Sequence, residues 1–243
     1  MKNIKIENVD IPIKEDNITL KGSIYSSSKT RPKAPWIINL PGYPEDRDSY
    51  FVRYYSDKFA RAGYYVLSYD YRGLGKTIIK IGKRKVKTFN VLPQVFSDIR
   101  EVLSWILDKQ TYRLLNNEII LFGRSFGGAI ILTHGYIDVR AKILIPLCTR
   151  YSYESIGDIK FSEEDYKQIS PKFFLKKDPS NNKRILIAHC KDDDRIPFEN
   201  VKHIKEHLGL NDENVIIFSS GGHSFKGHRD EIFDICLKFL KKI

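Results

Sequence analysis

Cysteine is scarce in this sequence, and long apolar runs are absent. Only three of the 243 residues are cysteines, and Cys148, Cys190 and Cys236 lie far apart, in or beside apolar runs. This odd number and wide spacing do not suit a disulfide framework or a zinc site, so we expect three reduced core thiols. The N-terminus has no apolar signal core, and no apolar run approaches membrane-spanning length. We therefore expect a soluble, cytoplasmic protein with no membrane partner.

The sequence also lacks the motifs of nucleic-acid-binding domains. Its net charge of +11 by itself is compatible with an anionic partner. The lysines are spread along the chain, however, and no helix-turn-helix, zinc-finger or aromatic RNA-binding pattern accompanies them. The densest basic run lies in a predicted loop at residues 76–87. We expect no nucleic-acid partner and interpret the charge as a lysine-rich composition, with a nucleic-acid binder as the outlying alternative.

Strand patterns alternate with helix patterns along most of the chain. Two runs at residues 4–13 and 18–26 predict an antiparallel hairpin. Short buried-strand patterns then alternate with amphipathic helix patterns (strands at 36–40, 64–70, 119–122, 141–145, 184–188 and 214–218; helices at 46–62, 91–109, 198–208 and 228–242). This alternation predicts a mostly parallel sheet with helices on both faces. The length suits one α/β domain over residues 1–243.

The most informative motif lies in residues 118–133. Gly123, Ser125 and Gly127 have the spacing Gly-x-Ser-x-Gly, between a buried-strand pattern and a helix start. In this setting the glycines leave room for a sharp turn that exposes a serine hydroxyl above the edge of the sheet. Ser125 is therefore the candidate nucleophile, although the motif alone also arises by chance.

A serine nucleophile needs a base, and the base needs an orienting acid. His223 follows the last predicted strand, and the three consecutive aspartates at 192–194 follow the strand before it. Sites in parallel sheets form beyond the carboxyl ends of the strands, so these groups can meet Ser125 there. The chain order Ser, Asp, His is that of α/β-hydrolases.

From about residue 10 to its C-terminus the chain resembles an α/β-hydrolase, and is most similar to compact esterase and serine-aminopeptidase-like members. The resemblance implies an α/β-hydrolase fold, with a mostly parallel eight-stranded sheet and a small cap-like insertion at about 149–180. The family's acid segment often reads His-Gly-x-x-Asp-x-x-Val-Pro. Laid on residues 189–197, it selects Asp193 as the acid over Asp192 and Asp194. Gly222-His223 matches the family's Gly-His pair.

The resemblance also implies two oxyanion donors. One is the backbone N–H of Phe126. The other comes from the loop after the third strand, where Pro41-Gly42-Tyr43 replaces the family's His-Gly-x, and we choose Tyr43. A merely structural Pro-Gly turn is the alternative.

Asp70 and Arg72 belong to a segment that resembles the family's Asp-x-x-Gly-x-Gly, and we interpret both as structural.

Other residues that suggest chemistry have simpler interpretations. Arg124, beside the nucleophile, is expected to brace the turn rather than bind substrate. His203 and His207 are four residues apart on a predicted helix, which suits a metal pair, but no third ligand lies nearby in the sequence. We interpret them as a solvated helix face and assign no metal and no cofactor.

These residues predict a serine hydrolase that cleaves carboxylic esters of small or medium acyl or aryl groups through an acyl-enzyme. A peptidase or acylaminoacyl-type hydrolase with the same triad is one alternative. An acyl thioesterase is another, because the basic loop could meet an anionic coenzyme A tail. A non-catalytic binding module is a further class, against which the intact Ser, Asp and His argue. The expected partner is a small-molecule ester or acyl substrate, and a homodimer is possible.

Overall fold

The computed structural model describes residues 3–108, 119–156 and 159–242. Its strands are β1 (Ile4–Ile13), β2 (Ile18–Ser27), β3 (Trp36–Leu40), β4 (Tyr65–Tyr69), β5 (Lys80–Ile81), β6 (Arg84–Lys85), β7 (Ile119–Arg124), β8 (Ala141–Leu147), β9 (Ser155–Ile156), β10 (Ile159–Lys160), β11 (Ile187–Cys190) and β12 (Val215–Phe218). Its α-helices are α1 (Tyr50–Ala62), α2 (Leu92–Asp108), α3 (Phe126–Ile130), α4 (Glu163–Ile169), α5 (Asn181–Arg184), α6 (Glu199–Leu208) and α7 (Arg229–Leu240). One π-helical turn, Ile131–Gly135, continues α3.

Eight strands form the main sheet, in the order β1-β2-β4-β3-β7-β8-β11-β12. β1 pairs with β2 in antiparallel register, and β2 pairs with β4 in the same sense. From β4 onwards the neighbouring strands are parallel. The prediction of a mostly parallel eight-stranded sheet with an N-terminal antiparallel hairpin is confirmed.

Helices cover both faces of this sheet, as the sequence predicted. Side chains alternate between the faces along each strand, so Ile37 and Ile38 of β3 enter two separate apolar clusters. One cluster packs the strands against α2, α3 and α6, and the other packs them against α1 and α7. The three cysteines are buried in the core. Because helices cover both faces, we expect the site beyond the carboxyl ends of the parallel strands.

Two predicted boundaries were wrong by a few residues. The strand predicted at 184–188 lies at Ile187–Cys190, because β12 pairs with residues up to Cys190 while α5 occupies the chain before Ile185. The helix predicted from residue 46 begins at Tyr50, because the preceding residues form a turn in which the Ser49 N–H donates to the carbonyl of Asp46. It ends at Gly63 as predicted, in a left-handed conformation with φ of 106°.

Two segments expected to be irregular contain small hairpins. In the basic loop, β5 pairs with β6 across a turn that includes Gly82, which has a φ of 61°. In the predicted cap at 149–180, β9 pairs with β10, and α4 follows. The interpretation of that segment as a cap on a single domain stays a prediction.

Asp70 has the structural role expected from its position after β4. Its carboxylate accepts hydrogen bonds from the backbone N–H of Arg47 and Lys76, and it pairs with the Arg47 guanidinium at 3.0 Å. Both side chains of the pair are buried, with 4% and 2% of their surface exposed. A buried ion pair of this kind ties the loop after β3 to the turn after β4.

We predict that Asp70→Ala lowers the free energy of unfolding by about 3–5 kcal/mol, because it leaves a buried guanidinium without its partner. Asp57→Ala is the matched control, since Asp57 pairs with Arg61 at the surface. Asp57→Ala should lower the free energy of unfolding by less than about 1 kcal/mol. Urea unfolding at pH 7 measures both values, and equal losses would contradict the structural role of Asp70.

Candidate active site

The candidate site lies where five parallel strands end. Tyr43 follows β3, Ser125 follows β7 and Thr149 follows β8, while Asp193 and His223 follow β11 and β12. These strands are neighbours in the order β3-β7-β8-β11-β12. Their carboxyl ends therefore bring together residues that are up to 180 positions apart in the chain, since 223 minus 43 is 180.

Ser125 lies in a strained turn between β7 and α3. Its φ and ψ are 58° and −114°, values that a residue with a side chain rarely adopts. Its backbone N–H donates to the carbonyl of Leu147, and its own carbonyl accepts from the Ala129 N–H and the Thr149 hydroxyl. Such strain costs about 1–3 kcal/mol, and these three bonds hold the serine in place against it.

The glycines flanking Ser125 are needed because two backbones meet there. A Cβ on Gly127 would lie 2.3 Å from the carbonyl oxygen of Leu40, and one on Gly123 would lie 2.9 Å from the same atom. A side chain at Gly127 would push α3 away from the end of β3, and one at Gly123 would push β7 away from it. The Gly-x-Ser-x-Gly spacing predicted that side chains at these positions would collide with neighbouring elements. The structure identifies the end of β3 as the element with which both would collide.

The same contact places the two expected oxyanion donors together. Leu40 and Gly123 are paired in register across β3 and β7, and Tyr43 and Phe126 each lie three residues further on. Their rings are 6.1 Å apart between centroids. The Tyr71 hydroxyl donates to the carbonyl of Pro41 at 2.8 Å, which holds the loop that carries Tyr43.

His223 and Asp193 form a buried hydrogen-bonded pair. His223 Nδ1 lies 2.8 Å from Asp193 Oδ2. Because a carboxylate only accepts, Nδ1 carries a proton, and in the neutral imidazole Nε2 then has the lone pair that a general base needs. Ser125 and His223 line the same pocket.

The three consecutive aspartates are in three different environments. Asp193 is buried, and its Oδ1 also accepts from the N–H groups of Arg195 and Ile196 at 2.9 Å. Asp192 accepts from the N–H groups of Gly221 and Gly222, in the turn that precedes His223. Asp194 is exposed. The resemblance selected the aspartate that contacts the histidine.

Hydrogen bonding keeps Asp193 ionised despite its burial. Burial alone would raise its pKa, but the hydrogen bonds from His223 and from the Ile196 N–H outweigh burial and lower the pKa to about 2. Asp193 is therefore a carboxylate throughout the neutral pH range.

Arg124 braces the turn that carries the histidine. Its guanidinium pairs with Glu45 at 2.6 Å and donates to the His223 carbonyl at 3.2 Å and to the Ser224 hydroxyl at 3.0 Å. The guanidinium also lies over the Phe51 ring, 4.2 Å from its centroid. Arg124 is thus held by protein groups on several sides, as expected for a positioning residue.

One cluster of possible metal ligands lies beneath the pair. Among the described residues, Cys148, His189 and Asp193 each place a ligand atom within 4.8 Å of the others. Two of the three are already bonded, since His189 Nε2 lies 2.9 Å from the Ile196 carbonyl and both Asp193 oxygens accept hydrogen bonds. Burial also lowers the pKa of His189. One ring nitrogen of His189 and both carboxylate oxygens of Asp193 are thus already engaged by groups of the protein itself.

The predicted histidine pair on α6 contacts an aromatic side chain. His203 stacks on the Tyr151 ring at 5.4 Å between centroids, and His207 Nδ1 lies 3.0 Å from the Tyr151 hydroxyl. The two histidines therefore pack against the segment after β8. The assignment of no metal stays a prediction.

The pocket beside Ser125 has a volume of about 150 Å³. Beyond the predicted site residues, it is lined by five others, Phe89, Arg150, Tyr153, Arg195 and Ile196. None of these five was assigned to the site from the sequence. Four of them lie in loops after β8 and β11, so the strand-end rule indicates their regions without selecting the individual residues. Phe89 lies in a short helical turn after β6, outside the main sheet, and the rule does not indicate it.

Two family models match the chain, each over slightly less than half of it. The model described as "Serine aminopeptidase, S33" matches residues 33–148, and the one described as "Prolyl oligopeptidase family" matches residues 129–243. Together they cover both the nucleophile turn and the turns that carry Asp193 and His223. No curated protein matches the chain in sequence.

Solved structures share the fold over nearly the whole chain. An acylaminoacyl peptidase of Pyrococcus horikoshii superposes with a TM-score of 0.74 at 21% identity, over 99% of this chain and 42% of its own. Est1E of Butyrivibrio proteoclasticus, solved with ferulic acid bound, gives 0.74 at 17% identity, over 96% of this chain and 98% of its own. An esterase of Pyrococcus furiosus superposes with a TM-score of 0.70 at 18% identity, over 98% of this chain and 93% of its own.

The chain has the α/β-hydrolase fold of these structures. The two matched models describe peptidase families, and the structures that share the fold include a peptidase and an esterase. The chain spans less than half the length of the acylaminoacyl peptidase that it resembles. Among its described residues, no helix is both long and apolar enough to cross a membrane.

We predict that Asp193 makes the stability of this protein depend on pH below 5. Its folded-state pKa of about 2 lies below the ordinary value of 3.8. As the pH falls, the unfolded chain binds this proton first, so the stabilisation present above pH 3.8 is lost towards pH 2. Between pH 5 and pH 3 the loss amounts to about 1 kcal/mol.

Urea unfolding at the two pH values tests this prediction. Asp193→Asn should lose about 1 kcal/mol less than the wild type over this range, because its amide does not titrate. Asp194→Asn, at the exposed neighbouring position, should lose as much as the wild type. An Asp193→Asn variant with the wild-type pH dependence would show that the carboxylate is not stabilised in the fold.

Proposed function

We propose that the protein is a serine carboxylesterase that hydrolyses esters of small or medium acyl or aryl groups. One observation carries the proposal. Ser125 is held in a strained, half-buried turn, in one pocket with His223, and His223 is bonded through Nδ1 to the ionised Asp193. A serine, a base with a free lone pair and an orienting carboxylate are the three parts of a catalytic triad.

In the first half of the proposed reaction, Ser125 Oγ forms a bond to the ester carbonyl carbon while His223 Nε2 takes the hydroxyl proton. The oxyanion that develops accepts hydrogen bonds from the backbone N–H groups of Phe126 and Tyr43. The bond from carbon to the alcohol oxygen then breaks. His223 gives its proton to the departing alcohol, and an acyl-Ser125 ester remains.

The second half repeats these steps with water. His223 takes a proton from a water molecule as the water oxygen attacks the acyl carbon. The bond to Ser125 Oγ then breaks, and the serine recovers its proton from His223. In both halves Asp193 keeps the imidazole oriented and stabilises its positive charge without taking up the proton.

The pocket supports a small substrate group. Its volume of about 150 Å³ is below the roughly 300 Å³ at which pockets for drug-sized ligands begin. Aromatic rings of Tyr43, Phe89, Phe126 and Tyr153 line it. A short acyl chain or a single aromatic ring suits such walls.

A peptidase or acylaminoacyl-type hydrolase is the second candidate, and the matched prolyl oligopeptidase family favours it. The same triad would act on an amide, but His223 would have to protonate a poorer leaving group. An acyl thioesterase is a third candidate, favoured by the exposed basic hairpin of β5 and β6. The expectations of a cytoplasmic location, of no membrane or nucleic-acid partner and of a possible homodimer stay predictions.

We predict that a fluorophosphonate probe labels the wild-type protein once and does not label Ser125→Ala. The phosphonyl group bonds to Oγ, and fluoride leaves, so intact mass measures the adduct directly. Ser224→Ala is the matched control, because Ser224 lies next to His223 but outside the residues that line the pocket. Its labelling should persist.

Labelling of Ser125→Ala at the wild-type rate would exclude Ser125 as the nucleophile. Absence of label on a folded wild-type protein would contradict the hydrolase mechanism. After positive labelling, 4-nitrophenyl acetate, an aryl thioester and an acylaminoacyl anilide separate the three candidates by kcat/KM. The carboxylesterase proposal requires the oxygen ester to have the largest value relative to its uncatalysed rate.

We predict that Asp193→Asn lowers kcat for ester hydrolysis by about 10³–10⁴-fold, because the amide favours the wrong histidine tautomer. Asp194→Asn should retain kcat within about threefold, since its side chain is exposed at the next position. Stopped-flow measurement of nitrophenol release gives both values. Comparable losses in the two variants would argue that the run of aspartates acts only through charge.

A further inference from the structure

Two arginines line the candidate pocket together with Ser125 and His223. Arg150 follows β8, and Arg195 lies in the turn after β11. The described residues that line the pocket include no Asp or Glu. The two guanidinium groups therefore give this small pocket a positive potential.

Both arginines lie next to backbone that is hydrogen-bonded to Asp193 or Ser125. The Arg195 N–H donates to Asp193 Oδ1 at 2.9 Å, so this arginine belongs to the same turn as the triad acid. Arg150 directly follows Thr149, whose hydroxyl donates to the Ser125 carbonyl at 2.8 Å. Arg150 Nη2 reaches the Arg195 carbonyl at 3.4 Å, which brings its guanidinium towards the acid turn.

Neither guanidinium is neutralised by a protein carboxylate. Among the described residues, no Asp or Glu oxygen lies within 4.0 Å of the Arg150 or Arg195 side-chain nitrogens. Arg124, also near the site, differs because Glu45 pairs with it. Glu154, the acid close to Arg150 in sequence, binds Tyr166 and Lys172 instead.

The surroundings of Arg150 make the positive charge more effective than a surface charge. Arg150 is half-buried, and its guanidinium lies 5.9 Å from the centroid of the buried Tyr153 ring. A guanidinium that is partly removed from water and has no carboxylate partner favours an anion strongly. Its planar set of N–H donors matches a carboxylate, which it can bind through two parallel hydrogen bonds.

We propose that the substrate carries a carboxylate close to the scissile ester bond, and that Arg150 and Arg195 bind this carboxylate. The inference rests on the proposed esterase function and adds the substrate class. A pocket of about 150 Å³ leaves room for only a few atoms between the two groups. The carboxylate can belong to the acyl part or to the alcohol part, and the chemistry that recognises it is the same.

Two pairs of small esters test the proposal, each with a neutral isostere in which methyl replaces the charged oxygen. Monoethyl succinate and ethyl levulinate form the acyl-side pair. Acetoxyacetate and acetoxyacetone form the alcohol-side pair. A pH-stat at pH 7.5 gives kcat/KM for all four.

We expect kcat/KM of the wild type to be at least about tenfold higher for the carboxylate-bearing ester of one pair than for its neutral isostere. Hydrogen bonds between charged groups are stronger than those between neutral groups. Arg150→Gln and Arg195→Gln should each reduce this preference about fivefold, mainly through KM. The double variant should abolish it. In every variant kcat/KM should fall more for the carboxylate-bearing ester than for its neutral isostere, a difference that a merely structural role of the arginines would not produce.

Arg31→Gln is the control for net charge. Arg31 is exposed in the loop between β2 and β3, which precedes the amino end of β3 and so lies at the opposite edge of the sheet from the site. It should leave the preference intact. An equal reduction in Arg31→Gln would overturn binding in the pocket in favour of long-range attraction.

A wild type that hydrolyses the neutral esters without preferring the carboxylates in either pair overturns the inference and leaves the esterase proposal standing. Hydrolysis of none of the four esters also overturns it. The fluorophosphonate reaction then shows whether the hydrolase mechanism fails as well, because that probe reports on Ser125 without needing a carboxylate.

Discussion

The close approach of two backbones is the constraint on which the site depends. The start of α3 lies against the end of β3, so that a single added Cβ at Gly127 would come within 2.3 Å of the Leu40 carbonyl. This contact forces the chain between β7 and α3 through a sharp turn, and Ser125 takes the strained conformation at its centre. It also brings the loop with Tyr43 beside the amino end of α3, where Phe126 lies.

Charged residues of the same type have different roles around the site, because their partners differ. In the run 192–194, one carboxylate holds the turn before His223, the next holds the imidazole itself, and the third faces solvent. Arg124 and Arg195 also differ in their charged partners. Arg124 has a carboxylate partner and braces the site, whereas the described residues offer Arg195 none, and it lines the pocket. The presence or absence of a neighbouring charge decides whether a basic side chain supports the structure or is available to a ligand.

Much of the fold and part of the site could be predicted from the sequence. The hairpin, the parallel strands and the helix that ends at Gly63 follow from periodicity and turn chemistry, which act over a few residues. The strand at Ile187–Cys190 was displaced from its prediction because its extent depends on pairing with β12, about 28 residues away (215 minus 187). The resemblance selected Asp193 among three aspartates, and local patterns alone left that choice open.

The sequence by itself determined the α/β alternation, the glycines around Ser125 and the order of serine, acid and histidine, because each is a local or ordered pattern in one dimension. Only the tertiary structure decided that Arg124 is braced by Glu45 and that Arg150 and Arg195 line one pocket with Ser125. It also shows His223 bonded to the aspartate that the resemblance had selected. The physical reason is that burial, distance and ion pairing are properties of neighbours in space. Arg150 and Arg195 are 45 residues apart in the chain and come together only where β8 and β11 end side by side.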